Sequence, residues 1–246
     1  MVRLFAEYRR AADPRTEVPS TKLLPDAYHR KSPYIYTDEQ VVSLLQAARG
    51  LPSTVPSTPG LRAQTYGTLI GLLSVTGMRI SEALALQRED VDFEQAVLTV
   101  RGTKFGKTRL VPVHKSTQDA LLRYAHFRDH IYPRPKTQSF FISERGTGLG
   151  YWGVRSTFVR LSREIGLRGP SDSLGPRMHD FRHRLAVHTL IRWYTEDVDV
   201  ERHIQELSTF LGHVKVSDTY WYLSAVPELL QLAAERVSKR KGGALS

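Results

Sequence analysis

The 246-residue chain has no cysteine at all. That excludes disulfides, thiolate metal centres and thiol nucleophiles, and leaves the chain indifferent to redox compartment. It also lacks any run approaching the ~18 to 20 apolar residues of a membrane span. The opening "MVRLFAEYRRAAD" lacks the apolar centre of a signal peptide. These two absences predict a cytoplasmic protein, nucleoid-associated in a bacterium, with no membrane partner. Acidic residues are in short supply: 25 Asp and Glu stand against 35 Lys and Arg, a formal charge of +10. A basic excess of that size favours a polyanionic partner, nucleic acid first and an anionic membrane surface second. No internal repeat is present, and low complexity is confined to the tail "SKRKGG". What remains is ordinary for a folded protein: 41% hydrophobic and 24% charged residues, enough for one large domain and a short appendage.

Near helical spacing, Val2, Leu4, Phe5 and Tyr8 predict a short helix, and a proline-rich linker over 14–34 follows. Thr37 with Gln40 three residues on has the spacing of a capping box, so a main domain starts near residue 35. The segment 61–76 is apolar on most faces, as a buried helix is, and Gly77 breaks it before a new short helix in "RISEALALQREDVD". "QAVLTVRG" and "KTRLVPV" predict two strands around "TKFG", with "SFFIS" a further strand candidate. Helical patterns cover about 115–130, 151–166, 179–194, 201–210 and 226–238. The fold class is α+β, a mainly helical domain with a small antiparallel sheet.

Three clusters carry chemistry. In "RMHDFRHRLAVHTL", His179 and Arg182 lie three apart and share a helix face, with His183 able to join them or pack beside them. A guanidinium fork beside an imidazole suits a phosphate. The cluster also fits a solvated basic face, and the His179 and His183 pair suggests zinc, against which stands the lack of an HExxH carboxylate and of any thiol. In "TGMRISEALAL", Arg79 opens a helix where the dipole prefers anions, so either Glu82 offsets it or the arginine holds an anion there. "RGTKFGKTR" places Arg101, Lys104, Lys107 and Arg109 about a hairpin tip, a device for reaching DNA or donating a proton, or an ordinary soluble turn.

Taken in order, "TGMRISEALAL", "TKFGKTRLVPV", "HDFRHRLAVHTL" and "LGHVKVSDTYWYL" resemble the catalytic domain of the tyrosine recombinase, or phage integrase, family over about residues 35–238. Each box alone is common; their combination is not. The resemblance implies Arg79 and Arg182 as catalytic arginines, Lys104 as the hairpin lysine, His179 and His213 as the histidines, and Tyr222 as the nucleophile. Tyr222 stands nine residues after His213, as the family pattern requires, whereas Tyr220 falls two short. Positions two apart on a helix point ~200° away from each other, so both phenols cannot face one phosphate.

By that resemblance the arginines clamp the scissile phosphate, His213 adds a hydrogen bond, His179 accepts or relays the tyrosine proton and Lys104 protonates the departing 5′-hydroxyl. A 3′-phosphotyrosyl intermediate follows, with no cofactor, metal or ATP. Arg101, Lys107, Arg109, His183 and Arg184 are candidate DNA-binding residues. Residues 1–13 resemble the last helix of the family's core-binding domain, and 239–246 form a basic tail, so the chain reads as a shortened or minimal recombinase. The implied partners are double-stranded DNA, a homo-tetramer on that DNA built through the last helix, and accessory recombination proteins. A catalytically idle DNA-binding remnant and a type IB topoisomerase or telomere resolvase are the competing readings.

Overall fold

A computed structural model describes residues 2–19, 32–102, 108–134 and 136–242. The chain divides into two units, 1–32 and 33–246. In the first, Val2–Ala12 forms helix α1, ending in a basic turn with Arg9 and Arg10. Most of the linker, residues 20–31, and the last four residues of the tail lie outside the described residues.

The second unit opens where its capping signal stands. Thr37 Oγ1 accepts the Gln40 backbone N–H at 3.2 Å and Gln40 Oε1 accepts the Thr37 N–H at 3.1 Å, starting α2 (Asp38–Arg49) with two otherwise orphaned donors satisfied. Helix α3 (Leu61–Thr76) follows and is buried nearly all round, with Leu61, Leu69, Ile70, Leu72 and Leu73 at 2% exposure or less. It is the central helix, and α2, α5 (Lys115–Ile131) and α7 (Asp180–Thr195) pack against it. A stripe of Gln64, Thr68, Gly71 and Val75 reaches solvent, and most of the rest of its circumference is covered by its neighbours.

Gly77 ends α3 in the left-handed region at φ 58°. A Cβ there would meet Leu185 Cδ2 at 2.9 Å, so glycine also permits the close approach of the two chain segments. Helix α4 (Ile80–Ala85) resumes at once. A three-stranded antiparallel sheet comes next, ordered β1 (Val91–Asp92), β2 (Val97–Val100), β3 (Arg109–Pro112), with Leu98 opposite both Val91 and Val111. Strands β2 and β3 are the predicted hairpin. Strand β1 escapes sequence reading because two residues cannot display an alternation.

The strand candidate "SFFIS" does not form a ladder; it makes only isolated bridges, Gln87 with Ser139 and Ile142 with Gly148. Phe140, Phe141 and Ile142 are buried, and their backbone is satisfied singly instead: Phe140 N–H donates to Leu86 O at 2.7 Å and Ile142 N–H to the Tyr124 hydroxyl at 3.1 Å. The remaining helices are α5 (Lys115–Ile131), α6 (Tyr151–Glu164), α7 (Asp180–Thr195), α8 (Val200–Leu211), α9 (Ser217–Ala225) and α10 (Pro227–Gly242).

Two apolar clusters result. The larger joins α2 to α6, the sheet and Phe181; the smaller joins α7 to α10 through Ala186, Val187, Leu190, Leu207, Leu211 and Leu229. Helix α10 is packed on its own chain, against α7 and α9. Leu229 is fully buried, and Arg236 donates to Val198 O at 2.7 Å and pairs with Asp197 at 3.1 Å. No helix among the described residues is long and apolar enough to cross a membrane.

Candidate active site

The site begins with a carboxylate that takes four donors. Glu82, 7% exposed on α4, accepts the Arg79 backbone N–H at 2.9 Å and Arg79 Nη1 at 2.7 Å. It also accepts Arg109 Nη1 at 3.0 Å and Nη2 at 2.8 Å, a bidentate fork from β3. Burial pushes this carboxyl up, but the Arg109 hydrogen bonds and then the Arg79 backbone outweigh it and hold Glu82 at about 2. Glu82 therefore does more than offset the helix dipole against Arg79, since it ties the arginine box to the sheet.

Arg109 carries the tie further. Its Nε donates to Phe210 O at 3.1 Å, and Arg79 Nη2 donates to Gly212 O at 3.1 Å. Both acceptors sit where α8 ends. Gly212 turns the chain at φ 70°, and a Cβ on it would meet the Arg109 guanidinium at 2.7 Å. The turn places His213 directly after this anchor. His213 Nδ1 is 2.7 Å from Thr219 Oγ1, which fixes the orientation of the ring.

Arg182 is 1% exposed on α7, with Nη1 donating to Gly77 O at 3.0 Å. Its Nη2 is buried and finds no hydrogen-bond partner among the described residues. Burial and then the nearby positive charge of Arg79 push its pKa down to about 10. Arg79, Arg182 and Arg109 thus meet around one carboxylate, an excess of positive charge that an anion would relieve.

Tyr222, 1% exposed on α9, faces this group: its hydroxyl is 2.8 Å from His183 Nδ1, and its ring stacks on His213 with centroids 6.4 Å apart. Tyr220 is 45% exposed. The helical spacing separates the two phenols as expected, one inward and one outward. His179 stands at the N-terminus of α7, its ring edge-on to His183 at 4.9 Å. It lines a cavity of about 270 Å³ with Ile80, Arg155 and Arg177.

Arg79, Arg182, His213 and Tyr222 are thus brought together, with His179 one turn of α7 away from His183. Lys104 and Lys107 lie outside the described residues. Arg101 is exposed and pairs with Asp90 and Glu89. Three of the sequence-derived DNA candidates have partners within the protein. Arg109 is bound to Glu82 and Phe210, His183 is 4% exposed and bonds Tyr222, and Arg184 is taken up by Tyr36 O and Asp38. The group recorded within hydrogen-bond distance of the Tyr222 hydroxyl is His183, and His179 stands behind it at 4.9 Å between ring centroids. Charge alone could not separate these roles, because burial decides which guanidinium faces inward. Among the described residues no three His, Asp or Glu side chains converge as a metal ion would require.

A helical domain with a three-stranded sheet and an inward-facing tyrosine is the fold of tyrosine recombinase catalytic domains. The integrase of the Tn1549 transposon, solved with transposon right end DNA, superposes with a TM-score of 0.64 at 19% identity, covering 96% of this chain and 76% of that one. A XerA recombinase superposes at 0.61 and 20% identity, covering 84% and 66%. Residues 35–228 match the phage integrase family, and the chain belongs to it.

Among relatives, a Sinorhizobium fredii protein named as an integrase/recombinase, y4rB, is 49% identical over 240 residues, 97% of this chain and 76% of its own. The tyrosine recombinase XerD of Mycobacterium tuberculosis is 34% identical over 201 residues, 80% of this chain and 58% of its own. Site-specific recombination is the reaction class these relationships support.

Proposed function

We propose that this chain cleaves and rejoins duplex DNA through Tyr222, forming a 3′-phosphotyrosyl intermediate. The observation that carries the reading is the buried Arg182 Nη2 donor, without a protein acceptor among the described residues, in the same cluster as Arg79 and the Tyr222 phenol. A nonbridging phosphate oxygen satisfies such a donor and neutralises the excess guanidinium charge. Arg79 and Arg182 then clamp the phosphate, and His213 Nε2 adds a donor as negative charge grows in the transition state. Lys104 is assigned the leaving 5′-oxygen from the family resemblance. Guanidinium groups supply the positive charge, so no step is assigned to a metal ion or ATP.

Double-stranded DNA is the substrate we assign, supported by the +10 charge and by a fold shared with an integrase solved on transposon DNA. On DNA we assign four copies. With α10 packed on its own chain here, exchange of that helix between copies belongs to assembly. A chain that stays monomeric on its DNA would remove the tetramer.

The test is covalent trapping on a duplex nicked beside the cleavage site, comparing the parent with Tyr222→Phe and Tyr220→Phe. Loss of the adduct in Tyr222→Phe alone is the expected result. An adduct that survives Tyr222→Phe overturns the assignment. Relaxation of supercoiled plasmid without a specific site would move the chain to the topoisomerase reading.

A further inference from the structure

The hydroxyl of Tyr222 has a buried partner of its own. His183 Nδ1 is 2.8 Å from it, and on the far side of the same imidazole Nε2 lies 3.9 Å from Asp180 Oδ1. All three groups are removed from water, at 1%, 4% and 2% exposure for Tyr222, His183 and Asp180. Asp180 is itself held, its Oδ2 accepting the Arg177 backbone N–H at 2.7 Å and its Oδ1 the Arg177 Nη2 at 3.2 Å. For Nδ1 to accept from the phenol, the imidazole must carry its own proton on Nε2, the nitrogen that faces the carboxylate. Hydroxyl, imidazole and carboxylate in this order form the arrangement in which a weak nucleophile loses its proton to the ring, and the carboxylate stabilises the imidazolium that results.

We propose that His183 is the proton acceptor for Tyr222, with Asp180 as its positioning residue. The inference rests on the reading of Tyr222 as nucleophile. As the Tyr222 oxygen bonds to phosphorus, its O–H breaks and the proton passes to His183 Nδ1. The bond from phosphorus to the 5′-oxygen breaks with its electron pair, and that oxygen takes a proton from the general acid assigned to Lys104. In the reverse step His183 returns its proton to the phenolate as it leaves phosphorus. A free phenol ionises near pH ~10, so an adjacent base is what the attack requires at neutral pH.

The groups that face this imidazole act in both directions. Asp180 favours the imidazolium. Arg182, the preceding residue on α7, carries a positive charge coupled to Arg79 and Tyr222 and opposes it until a phosphate arrives, and Arg177 offsets part of the Asp180 charge. His179 and Trp221 contact its ring edge, and His213 lies across the Tyr222 ring. DNA binding therefore raises the affinity of His183 for a proton at the moment the phenol must give one up.

Single-turnover cleavage of a nicked duplex, followed across pH about 5 to 9, tests this. His183→Gln should bind the duplex as the parent does and cleave it about 100-fold more slowly near neutral pH, with the near-neutral titration gone from its profile. With 3,5-difluorotyrosine at position 222, whose phenol ionises more readily, that deficit should shrink to about tenfold or less. Asp180→Asn should move the near-neutral titration to lower pH, which a purely structural contact would not do.

Cleavage by His183→Gln within about threefold of the parent, or a deficit that difluorotyrosine leaves unchanged, overturns the proposal. Should His183→Gln fail to fold, the parent bearing difluorotyrosine decides. A near-neutral limb that stays in place supports His183, and one that follows the phenol downward overturns it. The two readings separate cleanly. An adduct in Tyr222→Phe removes the nucleophile and this inference together, whereas its loss alongside full activity in His183→Gln removes only the second.

Discussion

Replacing Glu82 by Gln keeps the shape of the side chain and removes the charge on which two arginines converge. The carboxylate takes four donors, from the Arg79 backbone, Arg79 Nη1 and both Arg109 Nη atoms. An amide has one acceptor oxygen, and its own N–H2 group would face at least one of those donors, leaving buried guanidinium charge uncompensated. Breaking a buried ion pair from one side typically costs about 3–5 kcal/mol.

The depressed carboxyl gives a second magnitude. Glu82 falls from an ordinary 4.5 to about 2, and at ~1.36 kcal/mol per pKa unit the folded state gains about 3 kcal/mol from the ionised form. The sign follows from the depression. The contribution is complete above the unfolded value of 4.5 and fades as pH falls toward 2. Urea unfolding of Glu82→Gln should therefore show a loss of about 3 kcal/mol at pH 7 that narrows steadily below pH 4.5. A loss under about 1 kcal/mol at pH 7, or one that persists unchanged at the acid end, would refute the assignment of Glu82 as the buried hub.

Other expectations follow from neighbouring contacts. Arg182→Lys replaces two separated Nη donors, one on Gly77 O and one unpartnered among the described residues, by a single ammonium nitrogen that cannot occupy both positions, so adduct formation should fall by about 100-fold or more with the melting temperature little changed; equal activity would show that the buried Nη2 has no role. Gly77→Ala places a Cβ 2.9 Å from Leu185 at a backbone angle that favours glycine, and should destabilise by more than about 1 kcal/mol in denaturant unfolding. DNA binding measured against salt should weaken steeply, since phosphate contacts dominate; a flat salt response would argue against the duplex as substrate.

The sequence by itself determined the local elements and the order of the boxes. Thr37 and Gln40 cap α2 where their spacing says they must, because a capping box uses only neighbouring atoms. That Tyr222 and Tyr220 point apart follows from helical geometry, and the nine-residue spacing of the family pattern chose Tyr222 as the inward one. The resemblance drawn from four short motifs identified the family that the whole domain matches over 35–228.

Tertiary structure decided which basic residue does what. Arg109, 101 residues before Phe210 and 27 after Glu82, becomes the link between the arginine box and the His213 turn only when β3 packs beside α8. His183 resembles any histidine on a basic helix until α9 lays the Tyr222 hydroxyl on its Nδ1. "SFFIS" has the composition of a strand, yet its backbone partners, Leu86 O and the Tyr124 hydroxyl, come from other elements. A charge or hydrogen-bonding group has no fixed role in sequence, because its free energy depends on water exclusion and on partners that long-range folding brings within about 3 Å.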